Sequence, residues 1–125
     1  MEFKKVVVAG GGVLGSQIAF QAAYCGFDVT IWLRSQGSIG RTQPKIESIR
    51  KSYISAIELM SGPDAHVNWC RGIADEGGFD KDECLAKVEK AYSGLKLELD
   101  MAAAVKDADI VIESVAENEA DKIAF

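Results

Sequence analysis

The chain has 125 residues, 48% of them apolar and 26% charged, with a formal net charge of −5. That is enough for one domain around one hydrophobic core. The acidic balance argues against nucleic acid as a partner, because a phosphate backbone is bound by a basic face, but small anions stay open because they answer to local charge. No run approaches the roughly 20 apolar residues of a membrane helix, and Met1-Glu2-Phe3-Lys4-Lys5 leads straight into a strand-like segment, so neither a span nor a signal peptide is expected. Cys25, Cys70 and Cys84 form no CxxC pair, and His66 is the lone histidine, which leaves no disulfide framework and no zinc set. A cytoplasmic protein with reduced thiols is the expectation.

In chain order, residues 4–9 give a β-branched run that suits a strand buried on both faces. Glycines follow, then an alanine-rich helix over residues 14–24 closed by Gly26, then a second β-rich run over 29–33. Strand, tight turn, helix and strand within about 30 residues make a βαβ unit. Residues 34–43 read as a polar loop, and Pro44 stands where a helix would begin. Ile46, Ile49, Tyr53, Ile57 and Met60 then share one helical face, and Gly62-Pro63 ends it. After a loop over 64–79, Asp80 and Glu83 have capping spacing for a second helix carrying Leu85, Val88 and Tyr92 and closed by Gly94. Leu95, Leu97 and Leu99 alternate as in a third strand, Asp100 caps a short helix through Val105, and residues 108–112 form a fourth strand. Residues 117–125 look like the opening of a helix without a stop signal, so the chain is expected to be a truncated dinucleotide-binding domain over 1–125. The alternation predicts an α/β fold: a doubly wound, mainly parallel sheet with a long helical hairpin between strands two and three.

The turn after the first strand reads Gly10-Gly11-Gly12-Val13-Leu14-Gly15, a GxGxxG. Gly10 permits the tight turn, Gly12 lets the backbone approach a pyrophosphate, and Gly15 lets the helix pack on the strand. The helix start, with Val13 and Leu14, offers free N–H groups and the positive end of the dipole. A dinucleotide is the ligand this context implies. An NAD site also places an acid about 20 residues on, for the ribose hydroxyls. That position is Leu33, followed by Arg34 and Ser35, while Asp28 lies at the wrong end of the strand. An arginine there suits a 2′-phosphate, so NADP(H) is expected to be accepted at least as well as NAD(H).

The stretch Ala108-Asp109-Ile110-Val111-Ile112-Glu113-Ser114-Val115-Ala116-Glu117-Asn118, together with the glycine motif and the helical hairpin, resembles the NAD-binding domain of the 3-hydroxyacyl-CoA dehydrogenases over essentially the whole chain. The resemblance implies hydride transfer between nicotinamide and a 3-hydroxyacyl-CoA or 3-ketoacyl-CoA pair, in a protein of fatty acid metabolism. It also implies that Ser114, Glu117 and Lys122 contact the nicotinamide half of the cofactor. The family's catalytic groups and its dimer-forming, acyl-binding domain match nothing within these residues. The fragment alone is therefore expected to be inactive, and the intact protein a homodimer. His66 reads as a surface residue, not as the family's catalytic histidine. Arg41, Lys45, Arg50 and Lys51 read as a solvated helix face, with CoA phosphates as the alternative. Competing functions are another NAD(P)-dependent 3-hydroxyacid dehydrogenase and a non-catalytic NAD(P)H-sensing domain.

Overall fold

A strand whose side chains are apolar on both faces is stable only where both faces are covered, and that decides where the first strand sits. The structure, a computed structural model, describes residues 4–63, 69–70, 72–74 and 79–113. Strand β1 (Lys5–Ala9) lies between β2 (Asp28–Trp32) and β4 (Ile110–Glu113), with β3 (Lys96–Glu98) outside β2. Val6, Val7, Val8 and Ala9 are all buried. Every pairing is parallel, with Ala9 opposite both Trp32 and Glu113, so the carboxyl ends of the strands share one edge. The chain steps outward from β1 to β3 and then returns to the far side of β1 for β4. This is the predicted doubly wound α/β sheet, and it puts the topological switch point between β1 and β4.

Helix α1 (Val13–Tyr24) buries Gly15, Ser16, Ala19, Phe20 and Tyr24. Gly26 follows its cap at φ +101°, the left-handed conformation expected of it. The hairpin between β2 and β3 consists of α2 (Gln36–Met60) and α3 (Lys81–Gly94), which pack on each other and on α1. Ile46, Ile57 and Met60 of α2 meet Cys84, Val88 and Ala91 of α3 and Phe20 of α1 in one core. Burying each large apolar side chain contributes about 1.5–3 kcal/mol. Tyr53 sits between Phe20 and Tyr24, with ring centroids 4.7 and 5.6 Å away. Asp80 and Asp100 cap α3 and α4 (Met101–Val105), accepting from the Glu83 and Ala102 N–H groups.

Three expectations need correction. Residues 36–43 are not loop but helix, and α2 does not begin at Pro44: it starts at Gln36, about two turns earlier. Ser35 is the cap, its Oγ accepting from the Ser38 N–H at 3.3 Å, so the cap signal outweighs the two glycines and the proline. Pro44 sits inside the helix. It withholds an N–H from the Gly40 carbonyl and crowds it, a cost eased by the exposure of Gly40. The third strand stops at Glu98; the carbonyl of Leu99 accepts instead from Trp32 Nε1 at 2.9 Å. Tyr92 does not join the core face. It is 39% exposed and lies under the Arg50 guanidinium, 5.0 Å from its ring centroid.

Asp109, in the segment that carries the family resemblance, has a structural role. Its carboxylate accepts from the Lys4 and Lys5 N–H groups at 2.8 and 2.9 Å, and its own N–H donates to the Lys5 carbonyl. These bonds join the start of β4 to the start of β1. The Lys5 and Lys4 amides hold the carboxyl below its ordinary value.

Candidate cofactor-binding site

The glycine turn lies at the carboxyl edge of the sheet, between β1 and α1. Gly10 adopts φ +112°, which only glycine takes without strain, and its N–H donates to the Trp32 carbonyl at 2.9 Å. Gly12 is the N-cap of α1, with no side chain satisfying the helix start. A Cβ built on Gly12 would have no atom within 4 Å. The turn is therefore open at Gly12, at a helix start whose first N–H groups have no intrahelical partner. Val13 and Leu14 are each 65% exposed beside it. Gly15 is buried, as a glycine packed against the strand should be.

The middle glycine is the one with no room. A Cβ on Gly11 would lie 2.2 Å from Thr42 Oγ1 and 2.6 Å from Leu33 Cδ2. Its carbonyl accepts from Ser16 Oγ at 3.1 Å, Thr42 Oγ1 at 3.3 Å and Lys45 Nζ at 3.5 Å. Thr42 and Lys45 stand three apart on α2, so one face of that helix is aimed at the glycine turn. These contacts escape the motif, which treats position 11 as free. The signal that could have found Gly11 is the run of consecutive glycines, since the GxGxxG pattern does not require one at that position.

Leu33 is 2% exposed, its side chain turned against Gly11 and its N–H bonded to the Glu98 carbonyl at 2.8 Å. It supports the turn from below. Arg34 and Ser35 are exposed at the start of α2. Arg41 Nη2 donates to Ser38 Oγ at 3.0 Å, and Nη1 lies 3.3 Å from where a Gly37 Cβ would be, so the guanidinium folds back over the first turn of α2. In a chain of net charge −5, this edge gathers Arg34, Arg41 and Lys45 beside the positive ends of two helix dipoles. The expected solvated face of α2 is thus partly engaged. Arg50 binds both Glu89 oxygens, at 2.6 and 3.0 Å, and Glu47 at 3.0 Å, which ties α2 to α3, while Lys51 is exposed.

Ser114, Glu117, Lys122 and His66 lie outside the described residues. Among the described residues no cluster of histidine, cysteine and acidic side chains could hold a metal ion, and no helix is long and apolar enough to cross a membrane. The three cysteines are unbridged.

An all-parallel sheet with its switch point between β1 and β4, and an open glycine turn at a bare helix start, defines a Rossmann-type dinucleotide-binding domain. The family model for the 3-hydroxyacyl-CoA dehydrogenase NAD-binding domain matches residues 5–125. The chain belongs to the 3-hydroxyacyl-CoA dehydrogenase family, as its NAD-binding domain. Among solved structures, a diketoreductase described as acting on dicarbonyl compounds shares 33% identity at a TM-score of 0.67; the match covers 94% of this chain and 34% of that one. The FadB2 protein of M. tuberculosis shares 24% identity at a TM-score of 0.69, over 98% of this chain and 34% of the other. The 3-hydroxybutyryl-CoA dehydrogenase of Escherichia coli K12 shares 23% at 0.66, over 99% of this chain and 21% of the other. The last two establish the fold alone, and the chain spans about a third or less of the length of all three. No curated protein matches it.

Proposed function

We propose that this domain binds the cofactor of an oxidoreductase that interconverts 3-hydroxyacyl-CoA and 3-ketoacyl-CoA by hydride transfer to or from nicotinamide. The observation that carries this is the family match over residues 5–125 on a chain whose glycine turn is open at Gly12. When bound, the nicotinamide would supply the carbon that accepts or donates the hydride. Gly12, Val13 and Leu14 would hold the pyrophosphate, and Gly10 and Gly15 would fix the turn. Ser114, Glu117 and Lys122 follow the carboxyl end of β4 in sequence, where ligands of open α/β sheets collect, and are proposed to orient the nicotinamide half. The test is reduction of acetoacetyl-CoA by the full-length protein. Dinucleotide-dependent turnover is expected, together with binding but no turnover by residues 1–125 alone. Turnover by a verified fragment would contradict the division of labour.

A second reading has its own support: the 33% identical relative is described by its action on dicarbonyl compounds. On that reading the substrate is a diketone without CoA. Comparing kcat/KM for acetoacetyl-CoA with that for a simple diketo acid separates the two.

The choice of cofactor follows from the end of β2. Leu33 can neither accept hydrogen bonds from ribose hydroxyls nor repel a 2′-phosphate. Arg34, Ser35 and Arg41 stand beside the start of α2, whose dipole favours an anion. NADP(H) is therefore proposed to bind at least as tightly as NAD(H). A charge-assisted bond contributes roughly 1.5–3 kcal/mol, about tenfold to a hundredfold. Leu33→Asp with Arg34→Ala is expected to reverse the preference. Tighter NAD binding by the wild type, with Arg34→Ala silent, refutes this.

A further inference from the structure

We infer that Lys45 is a positioning residue for the cofactor turn that acts through its charge, polarising the Gly11–Gly12 peptide and adding positive potential at the turn proposed to take the pyrophosphate. The inference rests on dinucleotide binding at Gly12. Lys45 is half-buried, and its Nζ stands 3.5 Å from the Gly11 carbonyl. That carbonyl also takes the hydroxyls of Ser16 and Thr42, which are 0% and 2% exposed. Two neutral donors already satisfy the oxygen, so its hydrogen-bonding needs alone do not call for an ammonium there. What the ammonium adds is charge. It polarises the Gly11–Gly12 peptide, whose N–H belongs to the open turn, and it brings a cation to the turn itself. Lys45 reaches this place because α2 begins at Gln36, which puts Thr42 and Lys45 on one face above the glycines.

This separates two jobs on the same helix. Thr42, buried and in contact with the Gly11 α-carbon, fixes the shape of the turn. Lys45 sets its electrostatics. A single partly exposed cation, screened by water, is worth on the order of fivefold in affinity.

The experiment measures NADH binding by calorimetry to the full-length protein at low and high salt, for wild type, Lys45→Met, Lys45→Arg and Thr42→Val. The expected result is binding about fivefold weaker in Lys45→Met at low salt, with the gap closing at high salt as the charge is screened. Lys45→Arg should bind within about twofold of wild type, because it keeps the positive charge on a long flexible stem. Thr42→Val should weaken binding equally at both salt concentrations. Equal affinity of Lys45→Met and wild type at low salt overturns the inference. So does a loss that persists at high salt, or that arginine does not rescue, since either marks a packing role. Failure of the wild type itself to bind NADH would instead remove the dinucleotide reading on which the inference rests.

Discussion

Adding one methyl group at neighbouring glycines is expected to have opposite consequences. In Gly11→Ala the new Cβ would lie 2.2 Å from Thr42 Oγ1 and 2.6 Å from Leu33 Cδ2. Both side chains are 2% exposed, and Thr42 is bonded to the Gly11 carbonyl, so neither can swing into solvent. Overpacking of this kind costs about 1–3 kcal/mol. For a domain of this size that lowers Tm by roughly 3–12 °C. In Gly12→Val the side chain meets no atom within 4 Å of its Cβ. Only the weaker cap is felt, at up to about 1 kcal/mol, but the methyls fill the space through which the pyrophosphate approaches. Thermal melts followed by circular dichroism, paired with NADH titration, separate the two. Gly11→Ala should melt early and regain part of its loss when Thr42→Ala is added, because the Leu33 contact persists. Gly12→Val should melt near the wild type and bind no NADH. If Gly11→Ala melts like the wild type, or Gly12→Val binds normally, the packing account of the turn is wrong.

Other consequences follow from the caps, the helix interior and the buried rings. Because the Lys5 and Lys4 amides depress the Asp109 carboxyl below its ordinary 3.8, its contribution to stability is present above that value and lost as pH falls through the folded one. Asp109→Asn should lower Tm at neutral pH, with the gap narrowing in acid; a gap independent of pH would contradict this. Burial pushes Tyr53 up to about 12, and burial raises Tyr24 as well. A raised value gives stability that is full below the unfolded value of 10.0 and lost as pH rises. Ionisation of Tyr24 and Tyr53, followed by absorbance in a Tyr92→Phe background because Tyr92 is exposed, should therefore appear with cooperative alkaline unfolding, and smooth titration of both near 10 in the folded state would refute it. Pro44→Ala restores an N–H to the Gly40 carbonyl inside α2 and should stabilise the chain by about 1–3 kcal/mol in chemical denaturation; destabilisation would mean that the proline ring, beside Ile39 and Tyr92 in a cleft of about 870 Å³, matters more for packing.

The elements that local chemistry specifies were legible in sequence. The valine run in β1, the Asp80 and Asp100 caps and the left-handed Gly26 each depend on neighbours within a few residues, and each stands where those neighbours place it. The start of α2 was not legible, because Ser35 signals a cap while Gly37, Gly40 and Pro44 signal a loop, and sequence alone does not weigh one against the other. The role of Gly11 was hidden for a different reason: its constraint comes from Leu33, Thr42 and Lys45, which reach it only through tertiary packing. Tyr92 had the spacing of a core residue but answers to Arg50 on the facing helix. In the candidate site, the backbone features at Gly10, Gly12 and Gly15 — a positive φ, an open N-cap and a buried packing position — agree with what their spacing led one to expect. Choosing the cofactor from Leu33, Arg34 and Ser35 depends on what approaches from outside the chain.

The most direct test of the account is a crystal structure of the full-length protein with NADH bound. The account predicts the pyrophosphate against the Gly12 and Val13 N–H groups at the start of α1, with its oxygens over the open face of Gly12. A dinucleotide seated elsewhere, with that turn unoccupied under saturating NADH, would contradict it.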